Sequence, residues 1–152
     1  MQRFNVLTGE LPVQRARSGY AWRGRGGVAR ELGLQWFGAS VYELPADQWT
    51  SPYHYHHGVE EWLYVAAGAP TLRDPAAERV LAPGDLVCFP SGPDGAHAVR
   101  GPGRVVMFSA GGFGASISVY PDSDKLGVRP LGGGDDRLDF RRDDAVDYWE
   151  GE

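Results

Sequence analysis

All four histidines of this 152-residue chain fall within one stretch: His54, His56 and His57 form a cluster, and His97 stands apart. The cluster reads His54-Tyr55-His56-His57-Gly58-Val59-Glu60-Glu61, two imidazoles at i, i+2 with carboxylates shortly after. On a β-strand, i and i+2 project from the same face, roughly 6.5 Å apart along the strand. Neutral imidazole and carboxylate are common ligands of divalent transition metals. The chemistry these residues could do together is to hold one metal ion.

The elements that would position them follow from the spacing. Glu61 lies five positions after His56, an odd separation, so on one straight strand it would face away from the histidines. The chain must turn between them, and His57-Gly58 is the place to do it. His54 and His56 then close one strand, Glu61 opens the next, and His97 comes from a distant one. A site drawn from three strands fits the inside of a small barrel. The rest of the chain agrees. Extended segments are expected at 36–44, 53–57, 61–67, 70–73, 79–82, 86–90, 97–100, 104–109 and 115–120. Turn residues separate them, as in Ala82-Pro83-Gly84-Asp85 and Gly101-Pro102-Gly103. The 22 glycines and 11 prolines are spread along the whole chain, which suits short strands joined by many turns. Residues 1–35 read as irregular, and 143–150 could form a short helix.

Composition narrows the function classes. A net charge of −5 argues against nucleic acid as the main partner, because phosphate neutralisation needs a basic footprint. No run of apolar residues is long enough to span a bilayer, and no secretory leader is visible, so no membrane partner is expected. Cys88 is the only cysteine, so no intrachain disulfide can form; a cytoplasmic location is expected. Cys88 itself, within Leu86-Val87-Cys88-Phe89, is expected to be a small core hydrophobe rather than a nucleophile.

These residues resemble the cupin superfamily. Its first motif, a His-x-His with a Glu after four intervening residues and a Gly after six more, is matched by His54, His56, Glu61 and Gly68, which selects Glu61 over Glu60. Its second motif is matched by Gly84, Pro90, Gly92 and His97. There are three departures. Four residues separate Gly92 from His97 where two are usual, Gly101 stands where an Asn often follows, and Gln48 replaces a leading Gly. The resemblance covers residues 36–110, extending toward 120, and implies an all-β, cupin-type double-stranded β-helix, or jelly-roll barrel. The organisation expected is an N-terminal arm at 1–35, the barrel at 36–120 and a C-terminal extension at 121–152. The implied ligands of one divalent metal (Mn, Fe, Zn or Ni) are His54, His56, Glu61 and His97, with His57 and Glu60 facing away.

Three imidazoles and a carboxylate around a divalent ion leave room for an oxygen-rich small molecule, with Leu63, Val65, Phe89, Val99 and Met107 as an apolar wall. The expected function is a metal-dependent enzyme, a dioxygenase or an isomerase/lyase. The alternative is a non-catalytic module that binds or senses such a molecule. No general base stands out; Tyr42 and Glu43 are candidates by position only. Residues 135–152 carry eight acids against three arginines, while Arg15, Arg17, Arg23, Arg25 and Arg30 dot the N-terminal segment. That opposition suggests pairing of the two termini across a homodimer.

Overall fold

The structure is a computed structural model that describes residues 2–111, 115–130 and 136–152. Its strands are β1 (Val13–Arg15), β2 (Trp22–Arg25), β3 (Phe37–Leu44), β4 (Tyr55–His57), β5 (Val59–Gly68), β6 (Thr71–Arg73), β7 (Glu78–Val80), β8 (Leu86–Phe89), β9 (Ala98–Arg100), β10 (Gly103–Gly111), β11 (Ala115–Tyr120), β12 (Lys125–Pro130) and β13 (Leu138–Arg141). One sheet runs β1-β2-β3-β10-β5-β8; a second runs β13-β12-β11-β4, and a third β7-β6-β9. Among the described residues every pairing between these strands is antiparallel. A bridge between His54 and His97 joins the second sheet to the third, so these two together face the six-stranded layer. This is the β-sandwich form of the jelly roll that the sequence implied.

Alternation along the strands sorts residues to the two faces of the six-stranded sheet. Leu63 and Val65 of β5, Leu44 of β3, Phe89 of β8 and Val105 of β10 point inward, where they pack with Leu72, Leu81 and Val99. The outward set is not bare. Val41 and Val106 are covered by Leu11 and Val28, with Phe4, Val6, Leu32, Ala39 and Phe108 around them. This explains the N-terminal segment. It is mostly irregular, as expected, but its β1, β2 and one-turn helix α1 (Val28–Glu31) extend the sheet and roof its outer face.

Two expectations are corrected. Cys88 is exposed rather than buried. Val87 and Phe89 take the inner face of β8, which leaves Leu86 and Cys88 pointing outward on an edge strand with nothing packed over them. The stretch 143–150 forms no α-helix. A 3-10 turn, Arg142–Asp144, has no side-chain cap, and Val146, Tyr148 and Trp149 lie 66%, 84% and 72% exposed. Without an apolar stripe to bury, so short a helix has no tertiary packing to hold it. Among the described residues, no helix is long and apolar enough to cross a membrane.

Candidate metal centre

The first cluster is brought together by the turn at Gly58. This glycine has φ +78°, a left-handed conformation that side chains resist, and it bends the chain between His56 in β4 and Glu61 in β5, carrying it from one sheet to the other. His54 and His97 face each other across the antiparallel bridge, with His54 N donating to His97 O at 3.1 Å and His97 N to His54 O at 2.8 Å. Their ring centroids are 4.9 Å apart, and that of His54 is 4.8 Å from His56. The longer loop before His97 is taken up by a 3-10 turn, Pro93–Gly95, so the two extra residues do not displace the histidine. His54, His56 and Glu61 present ligand atoms within 4.8 Å of one another, and Glu61 Oε2 lies 3.4 Å from His97 Nε2.

The second nitrogen of each ring is already engaged. His54 Nδ1 lies 2.8 Å from Pro52 O and His97 Nδ1 lies 2.9 Å from Gly95 O. A carbonyl only accepts, so both Nδ1 atoms carry the proton and both Nε2 atoms keep a lone pair. His56 Nδ1 meets two hydroxyls, Ser118 Oγ at 3.1 Å and Ser116 Oγ at 3.2 Å. The Nε2 atoms of His56 and His97 then face the same carboxylate oxygen, at 3.3 and 3.4 Å. His97 Nε2 and Glu61 Oε2 are buried without a hydrogen-bond partner. Two acceptors held that close, away from water, call for a cation between them. Separations of 3.3–3.4 Å suit donors each about 2.0–2.2 Å from a common ion.

A proton is the poorer candidate for that cation. Burial, reinforced by the His97 and His56 imidazoles, lowers the pKa of His54 from 6.5 to about 4. Burial likewise lowers that of His97. Burial alone would raise the Glu61 carboxyl, but the surrounding imidazoles, His56 foremost, outweigh it and hold Glu61 below its ordinary value. His54 and His97 are thus held neutral beside an ionised Glu61, which is the protonation state a divalent metal requires of them.

His57 is exposed and packs edge-on against Tyr55, and Glu60 is exposed on β5; neither joins the cluster. Phe89 stacks on His97 at 3.8 Å, whereas Leu63, Val65 and Val99 are fully buried in the core beneath. Of the two base candidates, Glu43 is on the wrong face. Alternation on β3 turns it outward to an ion pair with Arg104. Tyr42 points inward, its ring 5.0 Å from Trp22, and burial raises its pKa, so it is a hydrogen-bond donor and not a base. Ser116 and Ser118 escaped the sequence reading, and Tyr120, expected only as the start of a loop that could overhang the barrel mouth, stacks on His54 with ring centroids 5.7 Å apart. Their i, i+2, i+4 spacing on β11 was the available signal. What it lacked was the register that sets Ser118 opposite His56.

A facing-sheet β-sandwich with a His/Glu cluster on its inner strands is the architecture of a cupin, and residues 40–111 match the family model for the cupin domain. The chain is a small cupin-domain protein. Two solved structures share its fold over most of their length. One, put forward as a sugar phosphate isomerase from Acidithiobacillus ferrooxidans, is 23% identical with a TM-score of 0.73, covering 88% of this chain and 86% of its own. The other, a sugar phosphate isomerase of the cupin superfamily from Silicibacter pomeroyi, is 21% identical with a TM-score of 0.73, covering 95% of each chain. A third, put forward as an oxalate decarboxylase from Thermotoga maritima, is 17% identical with a TM-score of 0.52, over 60% of this chain and 81% of its own. No curated protein matches the chain.

Proposed function

We propose that the chain holds one divalent transition metal ion through His54, His56, Glu61 and His97, and uses it on a small oxygen-rich molecule as an isomerase/lyase or dioxygenase. The observation that carries this reading is the buried, unpartnered pair His97 Nε2 and Glu61 Oε2, set 3.4 Å apart among imidazoles whose outer nitrogens are already bonded. Bound there, the ion would supply Lewis acidity toward a substrate oxygen. The chain's own residues orient and shield. Pro52 and Gly95 carbonyls fix the tautomers of His54 and His97, and Phe89 and Tyr120 cover the rings with apolar surface. In this reading the protonated Tyr42 hydroxyl, whose ionisation Glu61 disfavours, would donate a hydrogen bond to a developing oxyanion. The isomerase form is the chemistry named for the two neighbours that share this fold over most of their length.

The test is elemental analysis of protein purified without an affinity metal column. Wild type should carry close to one equivalent, and His56→Ala and Glu61→Gln should each lose most of it. Unchanged metal content in both variants would overturn the reading. A specific observation favours a second form of the same site: Glu43 is turned away and ion-paired, and Tyr42 is held protonated, so neither candidate supplies a general base. In that form the protein binds or senses a metabolite, and saturable binding without turnover distinguishes it. We also place the chain in the cytoplasm, where its exposed Cys88 thiol stays reduced, and in a homodimer whose contacts include the acidic C-terminal segment.

A further inference from the structure

We propose that Arg15 and Arg129 form an oxyanion-binding rim over the His/Glu centre, selecting small molecules that pair a metal-seeking oxygen with a carboxylate or phosphate group. The proposal rests on the reading of that centre and names its substrate class.

Strand register puts both arginines on the inner face. Directly opposed residues of an antiparallel pair project to the same side. Arg129 on β12 is opposite Ser116 on β11, whose hydroxyl is 3.2 Å from His56 Nδ1. Arg15 on β1 is opposite Trp22 on β2, with its guanidinium 5.3 Å from the indole centroid; that indole in turn lies against Tyr42 at 5.0 Å. The two strands belong to different sheets, so the arginines reach the site from opposite layers. They meet electrostatically at one point: the Tyr42 hydroxyl feels Arg15, Arg129 and Glu61 together.

Strand register, together with the lack of a carboxylate partner, singles out the pair, since seven of the other arginines have an acid of their own. Arg25, Arg73, Arg79, Arg100, Arg104, Arg137 and Arg142 are each ion-paired with a carboxylate of the chain. Among the described residues no such pair engages Arg15 or Arg129, in a protein whose acids outnumber its basic residues by 20 to 15. Both are exposed. Two uncompensated guanidiniums beside a wall of Tyr42 and Ser116 present forked donors to an oxyanion, the geometry for which arginine is suited above lysine. The ligand would bridge the rim and the centre.

Inorganic phosphate and oxalate are the probes, titrated by calorimetry into protein loaded with Mn(II) and into EDTA-treated protein. Wild type should bind one of them; preference for phosphate assigns the substrate to phosphorylated molecules, and preference for oxalate to carboxylates. Arg129→Gln and Arg15→Gln should each weaken binding by roughly tenfold or more, as loss of a charged hydrogen bond does. Metal content should stay at the wild-type level in both, and Arg79→Gln, paired with Asp74 away from the site, should bind as wild type does. Wild-type affinity in both rim variants, or no binding of either probe to wild type, overturns the proposal. If the metal is absent while arginine-dependent anion binding persists, the rim stands and the reading of the centre fails.

Discussion

His54 shows how an imidazole is made a ligand by its surroundings. Its native pKa of about 4 lies below the ordinary 6.5, with burial the main cause. As pH falls from 6.5 toward 4, the unfolded chain takes up a proton that the native site refuses. The metal-free protein should therefore lose stability through that window, by up to about 3 kcal/mol. His97 is shifted in the same sense, and Glu61, with its lowered pKa, adds a loss as it becomes protonated in the native state. Urea midpoints of EDTA-treated protein at pH 7 and pH 5 check this. A profile that is flat, or that His54→Asn leaves equally steep, would contradict it. The serine pair makes a second point. Ser116 and Ser118 only orient His56, so the double change to alanine should lower metal affinity roughly 10–100-fold with little effect on folding. Competition with a chelator reads the first, and a denaturation curve the second.

At the scale of elements, the site depends on short turns more than on strands. The Pro93–Gly95 turn delivers His97 and supplies the carbonyl that fixes its tautomer. A Cβ on Gly95 would come within 1.9 Å of Pro90 O, a backbone atom that cannot swing aside. Gly95→Ala should move the turn and strip metal from the protein before it unfolds it; metal content and thermal melting measured on one sample separate these effects. A variant that keeps its full metal complement would show that the turn tolerates the shift. The strands and the turn at His57-Gly58 were legible in the sequence because alternation and glycine placement are local signals. The outward turn of Cys88 was not, since it depends on β8 being a sheet edge, which is set by pairing with β5 far away in the chain.

For the whole molecule, charge is divided between the ends. The N-terminal segment is tied to the barrel through Arg104, which bonds to Glu43 and to the carbonyls of Val6 and Leu7, and it shields Val41 and Val106. The C-terminal segment beyond β13 has no such cover: Tyr148 and Trp149 pack on each other and stay exposed. Acidic residues flank these aromatics, and the homodimer we propose sets them against the arginine-bearing N-terminal segment of a second copy. Deleting residues 143–152 should lower the mass seen by light scattering while leaving the barrel folded. An unchanged mass would overturn the proposed dimer contact.

The sequence by itself pointed to a β fold and to His54, His56 and Glu61 as one cluster, because two-residue periodicity, turn chemistry and short spacings are written locally; His97 joined them only through the resemblance of its motif to the cupin one. Tertiary structure alone decided what surrounds that cluster. Ser116, Ser118, Tyr120 and Arg129 come to it through the β4–β11–β12 register, and Arg15 through the β1–β2–β3 register. A shift of one residue in either would turn those side chains to the opposite face. That choice is made by packing across the sandwich, where the whole inner face must be buried at once.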